Sequence, residues 1–339
     1  MDVPAWVWFV TIGAMVVMLT VDLAIVDHPW SKKQGPKEFG LRQATWWAVF
    51  YIGIAIVFGF GLWFFAGGTV AGEYFAGFLT EKSLSVDNLF VFYLIMGSFA
   101  VPKKYQHEVL LVGIVIALLM RSIFIAIGAQ AINAWSEVFY LFGAFLIYTA
   151  IKIIHDHIKG DDEDTDYTDS FAVRMVKKVW PVADQYHGAR LTVKLDGRRY
   201  VTPMLMVIVA IGVTDLVFAV DSIPAIFGLT QNAYIVFTAN AFALLGLRQL
   251  YFLLAGLMDR LSFISWGLAL IMVFIGIKMI LHALHENGVA VPEIGTVASL
   301  VVIVGVMTVT VVASLLRSGG VAQSEMEGET HRDTSGTRE

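Results

Sequence analysis

TEKSLSVDNLF, residues 80–90, and TDLVFAVDSIPA, residues 214–225, share a pattern that decides how the rest of the chain is read. Each sets an acid and, six residues later, an aspartate inside an apolar segment: Glu81 and Asp87 in the first, Asp215 and Asp221 in the second. A carboxylate at membrane depth is costly and marks a functional site by default. Two matched pairs point to a polar site inside a bundle of membrane helices.

The composition around these stretches agrees. Hydrophobic residues make up 58% of the 339 and charged residues 15%, with mean hydropathy +0.73, well outside a soluble profile. Apolar runs of about 20 residues, enough to cross ~30 Å of hydrocarbon, fall at 5–26, 44–66, 73–100, 105–131, 135–154, 203–227, 232–257, 262–284 and 292–316. The expected fold class is an all-α polytopic membrane protein with nine transmembrane helices. The alternation that a β-barrel needs is absent. No cysteine occurs, so a metal would be held by oxygen or nitrogen, and disulfide or thiol redox chemistry has no residue to carry it. Neither a phosphate-binding loop nor a nucleic-acid footprint is present. The N-terminal MDVPAWVWFV lacks a basic leader and reads as a retained first span.

Lysine and arginine set the orientation. Eighteen of the 23 lie in alternate connections: Lys32, Lys33, Lys37 and Arg42; Lys103 and Lys104; eight from Lys159 to Arg199; Arg260; and Arg317, Arg332 and Arg338 in the tail. This bias predicts an external N-terminus and a cytoplasmic C-terminus. The other five, Lys82, Arg121, Lys152, Arg248 and Lys278, sit within or at the ends of spans. Their intervals repeat: Arg121 to Lys152 resembles Arg248 to Lys278, as Glu81 to Asp87 resembles Asp215 to Asp221. Three spans per copy, an odd number, would invert the second copy, a recurrent plan in secondary transporters. The domains expected are therefore an accessory pair of spans (1–72), a first three-helix repeat (73–154), a cytoplasmic loop (155–202), an inverted second repeat (203–284), a ninth span (285–317) and a disordered cytoplasmic tail (318–339). Within the loop, DGRR at 196–199 reads as a turn.

A helical step of six turns about 600°, so the two acids of each pair point roughly 120° apart. For both to face one point the helix would have to unwind, and Ser83, Ser85, Asn88 and Pro224 offer reasons for a break. The preferred ligands are Asp87 and Asp221, with Glu81 and Asp215 nearby and Asn88, Ser222, Thr214 or Asn240 as neutral oxygens. Such donors suit Mn²⁺, Mg²⁺ or Ca²⁺. The purely structural alternative is a buried ion-pair network, Glu81 and Asp87 with Arg121, Asp215 and Asp221 with Arg248, and Lys82 adding one more positive charge. Carboxylates that lose protons to bind a metal would couple the two by competition, as in cation/proton exchange. Weaker signals are His282 and Glu286, four apart in HALHE, and the His155, Asp156, His157 and 161–166 acidic group. Both read better as solvated faces than as metal sites.

EKSLSVDNLFVF at 81–92, FAVPKKYQHEVLLVGIVIALLMR at 99–121, DLVFAVDSIPAIF at 215–227 and FTANAFALLGLRQLYFLL at 237–254 together resemble the TerC/Alx family of bacterial integral membrane proteins. That family is named for tellurium resistance and is similar to the wider LysE-like exporter group. The resemblance implies manganese efflux or metal-ion homeostasis, with Glu81, Asp87, Asp215 and Asp221, then Asn88, Ser222 and Asn240, as the metal site. Two acid pairs do not resemble an aspartyl-cleavage site, so no enzyme activity and no covalent cofactor are expected; Mn²⁺ would be the transported ligand, and the resemblance implies a bacterial plasma (inner) membrane. The other readings are a carrier for another ion such as Ca²⁺, and a membrane scaffold of a tellurium, stress-resistance or metal-loading complex. Homo-oligomerisation and stress-protein partners remain open.

Overall fold

The computed structural model describes residues 3–27, 41–135, 137–159, 168, 170–195, 197–254 and 263–335. The apolar runs become helices whose ends follow local chemistry. Helix α1 spans Ala5–Asp27 and α2 Leu41–Ala66. Gly67, at φ +95°, separates α2 from α3, Gly68–Ser98. Pro102 precedes α4, Lys103–Ala134, and α5 covers Val138–Lys159. After a connecting segment containing α6, Phe171–Val179, and the strands β1, Thr192–Leu195, and β2, Arg198–Val201, the bundle resumes with α7, Pro203–Phe227. Its proline stands in the first turn, where a missing N–H costs nothing. The Asn232 side chain caps α8, Ala233–Leu244, by accepting from the Tyr234 N–H at 3.0 Å. Next come α9, Leu247–Leu254, α10, Ile264–Glu286, and α11, Thr296–Ser335.

Among the described residues, seven segments are apolar and long enough to cross a membrane: Arg42–Ala66, Lys103–Ala134, Val138–His155, Pro203–Phe227, Ala233–Leu253, Ser265–Glu286 and Thr296–Ser314, with Ala5–Val21 a shorter apolar helix. Large apolar side chains such as Phe64, Phe65, Leu119 and Val217 are exposed on their outer faces. Helices close their own backbone hydrogen bonds, so they can present such faces to lipid. The chain is an all-helical polytopic membrane protein with one small hairpin. Helix α3 stands apart from the seven because Glu73, Glu81, Lys82 and Asp87 interrupt its apolar run.

Three pairings build the centre: α3 with α8, α4 with α7, and α5 with α10. In the last, the backbones meet at two glycines. A Cβ added to Gly143 would lie 2.7 Å from the Gly276 carbonyl oxygen, and one added to Gly276 would lie 2.8 Å from that of Gly143. The next turns pack reciprocally, Gly143 under Ile280 and Gly276 under Ile147. Helices α1 and α2 cover α3 and α8 through Met15, Tyr51 and Tyr234, with a buried Thr11–Tyr234 hydroxyl bond of 2.7 Å.

Two structural findings differ from the sequence reading. Helices α3 and α7 run unbroken through both acidic motifs. On α3, Ser83 and Ser98 bond back within the helix, to the Leu79 carbonyl at 2.7 Å and the Leu94 carbonyl at 2.9 Å, and Pro224 lies in the last turn of α7. The break falls instead between α8 and α9, at Leu245 and Gly246. Helix α11 also continues to Ser335, past residue 318, where polar composition predicts a disordered tail; no proline follows Pro292 to stop it.

The connecting segment is docked rather than free. Antiparallel β1 and β2 pair Leu195 with Arg198 around the expected turn, and Gly197 adopts φ +76° there. Val201 N–H donates to the Pro181 carbonyl at 2.9 Å, and Ala183 N–H to that of Val201 at 2.8 Å. Tyr186 donates to the Phe99 carbonyl at 2.9 Å, and burial pushes its hydroxyl up to about 12, so this tether keeps its proton at ordinary pH. The loop acids 161–166 lie outside the described residues, as do the side chains of Asp156 and His157.

Candidate functional site

The polar residues of the bundle form a layer between two apolar clusters. On α4, Ala117 belongs to one cluster and Ile125 to the other; on α7, Ile211 and Ala219 play the same parts. Between these levels stand Arg121 and Asp215.

Arg121 is the hub. Its Nη1 donates to Glu81 Oε1 of α3, to Ser222 Oγ at 3.2 Å and to Asn240 Oδ1 at 3.4 Å. Its Nη2 donates to Asp215 Oδ1 at 3.2 Å, and Nε reaches Asp215 Oδ2 at 3.5 Å. Four helices thus converge on one guanidinium, whose fixed fork of donors suits two carboxylates at once. Every member is buried: Glu81 is 0% exposed, Arg121, Ser222 and Asn240 1%, and Asp215 3%. A buried charge persists only when paired and hydrogen-bonded. The hub meets that need for part of each group; among the described residues Glu81 Oε2 and Asn240 Nδ2 have no hydrogen-bond partner. Thr80 Oγ1 and Ser85 Oγ, also buried on α3, share that condition.

The structure divides the predicted set. Glu81, Asp215, Ser222 and Asn240 come together. Asp221 does not join them: it accepts from Thr149 Oγ1 of α5 at 3.2 Å. The six-residue step explains this, since an unbroken α7 must aim Asp215 and Asp221 at different neighbours. Asn88 is buried on α3. Asp87 lies on the same helix, with its side chain outside the described residues. The expected pairing of Asp215 with Arg248 is replaced by pairing with Arg121, across the two halves. Arg248 is buried on α9. Lys82, the other expected counter-charge, donates from Nζ to the carbonyl oxygens of Ala243 at 2.9 Å and Leu245 at 3.4 Å. Sequence reasoning missed these carbonyls. The signal for them was Gly246, which interrupts an otherwise helical run.

Among the described residues, no group of three or more His, Asp or Glu side chains is arranged to hold a metal. His282 illustrates why proximity is insufficient. It meets Glu293 through Nδ1 at 3.1 Å and Glu286 through Nε2 at 3.5 Å, on opposite edges of the ring, so its two carboxylates cannot share one ion with a single nitrogen.

Known proteins give this arrangement a family. A protein of Mycobacterium tuberculosis strain H37Rv, called an uncharacterized membrane protein, is 43% identical over 330 residues, covering 94% of this chain and 81% of its own length. A relative from Photorhabdus laumondii is 35% identical over 307 residues, covering 88% and 94%. One from Escherichia coli O6:H1 is 35% identical over 306 residues, covering 88% and 92%. Both of the latter carry the name Alx with a provisional description as membrane-bound redox modulators. No solved structure matches significantly. The profile described as "Integral membrane protein TerC family" matches residues 66–320, a stretch that holds the whole Arg121 hub, and the chain belongs to that family.

Proposed function

We propose that this protein is a secondary transporter that exports a divalent cation, Mn²⁺ first among the candidates, through the polar layer around Arg121. The observation that carries this reading is the meeting of Glu81, Asp215, Ser222 and Asn240 deep in an apolar bundle, with Glu81 Oε2 unpartnered among the described residues. A merely structural network has little reason to bury two carboxylates and leave a carboxylate oxygen unsatisfied, since apolar residues of similar volume often serve stability as well or better. Carboxylate, hydroxyl and amide oxygens match hard divalent ions. A cation arriving at Glu81 would compete with Arg121 and with protons for the same carboxylates, which is the basis of proton-linked exchange.

The reading includes nine spans, an external N-terminus and two inverted repeats. Reciprocal contacts support the repeats. Exchanging α3 with α7 and α4 with α8 turns the Gly113–Ile211 contact into Ala239–Gly77, and an added Cβ at Gly113 or Gly77 would meet those partners at 3.0 and 3.3 Å respectively. The same exchange maps the Gly143–Gly276 crossing onto itself. In this register residue 143 corresponds to 276, so Lys152 aligns with His285, and its equivalence to Lys278, drawn from spacing, is dropped. The redox description of the Alx relatives finds no thiol in this chain.

The test is ion flux in sealed proteoliposomes under an imposed pH gradient, comparing Mn²⁺ with Ca²⁺ and Mg²⁺ for the wild-type protein and Asp215→Asn. The expected result is proton-linked Mn²⁺ movement that the substitution reduces at least ten-fold. Folded wild-type protein that moves none of the three ions would overturn the reading and favour a scaffold.

A further inference from the structure

Within one stretch the two proposed repeats differ in length by one residue. Ala117–Arg121 reads ALLMR, and Ala243–Arg248 reads ALLGLR, one residue longer. Helix α4 passes through its copy without interruption. The second copy breaks: Leu245 is extended at φ −62°, ψ 132°, and Gly246 sits at φ +79°, a conformation that favours glycine. A helix end leaves its last carbonyls without intrahelical partners. Ala241 is satisfied by the Leu245 N–H at 3.0 Å; Ala243 and Leu245 turn their oxygens to Lys82.

Lys82 is the second departure from the repeat, because the residue 134 positions on, the interval that relates Glu81 to Asp215, is Leu216. The unmatched lysine and the unmatched helix break therefore meet. Directly before Lys82 stands Glu81, whose Oε2 is buried without a hydrogen-bond partner among the described residues. Carbonyl oxygens released at a broken membrane helix, next to a carboxylate, form a donor set for a hard cation.

We propose that the Lys82 ammonium is a tethered stand-in for the transported ion. It holds the Ala243 and Leu245 carbonyls in the unloaded protein, and a divalent cation displaces it to take those carbonyls together with Glu81. The inference rests on the carrier reading and deepens it. In either state the buried carboxylate faces a positive charge, which avoids the cost of leaving it alone in a low-dielectric interior.

The experiment measures Mn²⁺ binding to the purified full chain by titration calorimetry, alongside flux in proteoliposomes, for wild type, Lys82→Met and Lys82→Arg. A stand-in that competes with the ion predicts at least ten-fold tighter binding for Lys82→Met and no tightening for Lys82→Arg, which keeps the charge. Unchanged or weaker binding by folded Lys82→Met, or tightening in both variants, overturns the stand-in role and leaves the carrier reading standing. Wild-type protein that neither binds nor moves Mn²⁺, Ca²⁺ or Mg²⁺ overturns both. Should Lys82→Met fail to fold, reductive methylation of the wild-type lysines decides, read by peptide mass. Faster modification of Lys82 with Mn²⁺ present supports displacement, and an unchanged rate rejects it.

Discussion

Helix α4 and the α8–α9 segment begin from nearly the same sequence and end in different structures. In α4, ALLMR stays helical, and its arginine reaches into the middle of the bundle to hold Glu81 and Asp215. In the other, one extra residue turns the chain out of helix and exposes carbonyls that Lys82 takes up. A single insertion shifts every later side chain by about 100° around a helix axis, so one residue is enough to give two related segments separate tasks. One supplies a fixed positive charge, the other backbone oxygens. The α5–α10 crossing shows the opposite behaviour, since its two glycines make the same contact from both sides.

The contrast can be broken most forcefully at Arg121. Arg121→Met leaves two buried carboxylates without their common partner, and the expected loss is about 3–5 kcal/mol, read as a large fall in thermal stability in detergent. A small effect would mean that Glu81 and Asp215 are neutral in the folded protein and that the hub is not an ion-pair site. Next come the two glycines of the symmetric crossing. Gly143→Ala and Gly276→Ala should each cost about 1–3 kcal/mol, because the new methyl meets a backbone carbonyl as well as an isoleucine side chain. The two costs should agree within about 0.5 kcal/mol if the contact is as reciprocal as its geometry, a comparison of scale set by ordinary surface substitutions. Unequal melting shifts would show that the halves differ here as well. The smallest effect is expected for Gly246→Ala. A left-handed residue with a Cβ costs roughly 1–2 kcal/mol, and this one would also press on Tyr51 Cβ at 3.0 Å. A stabilised variant would indicate that the segment prefers the continuous helix of α4.

Much of this was legible before any coordinates. Apolar runs marked the helices because the cost of exposing backbone to lipid leaves few alternatives. Glu81 and Asp215 could be singled out because carboxylates are so rarely tolerated at that depth. The proposed repeat was drawn from the acid spacing; its matching of Lys152 with Lys278 does not fit the Gly143–Gly276 crossing, since charges near helix ends are less constrained than glycines at a crossing. The docked hairpin was legible only as a turn at DGRR. Its anchoring by Tyr186 to the Phe99 carbonyl joins positions far apart in the chain.

Residue chemistry along the chain was sufficient for the membrane class, for seven spans among the described residues and for two buried acids, Glu81 and Asp215, because each depends on local transfer cost and periodicity. Partner choice was not available at that level. That Arg121 serves both Glu81 and Asp215, that Asp221 turns to Thr149, and that the helix breaks at Gly246 rather than at Pro224 all depend on which helix faces meet. A pattern of periods specifies a face but not what stands opposite it, and only the packing of four helices around one guanidinium selected those partners.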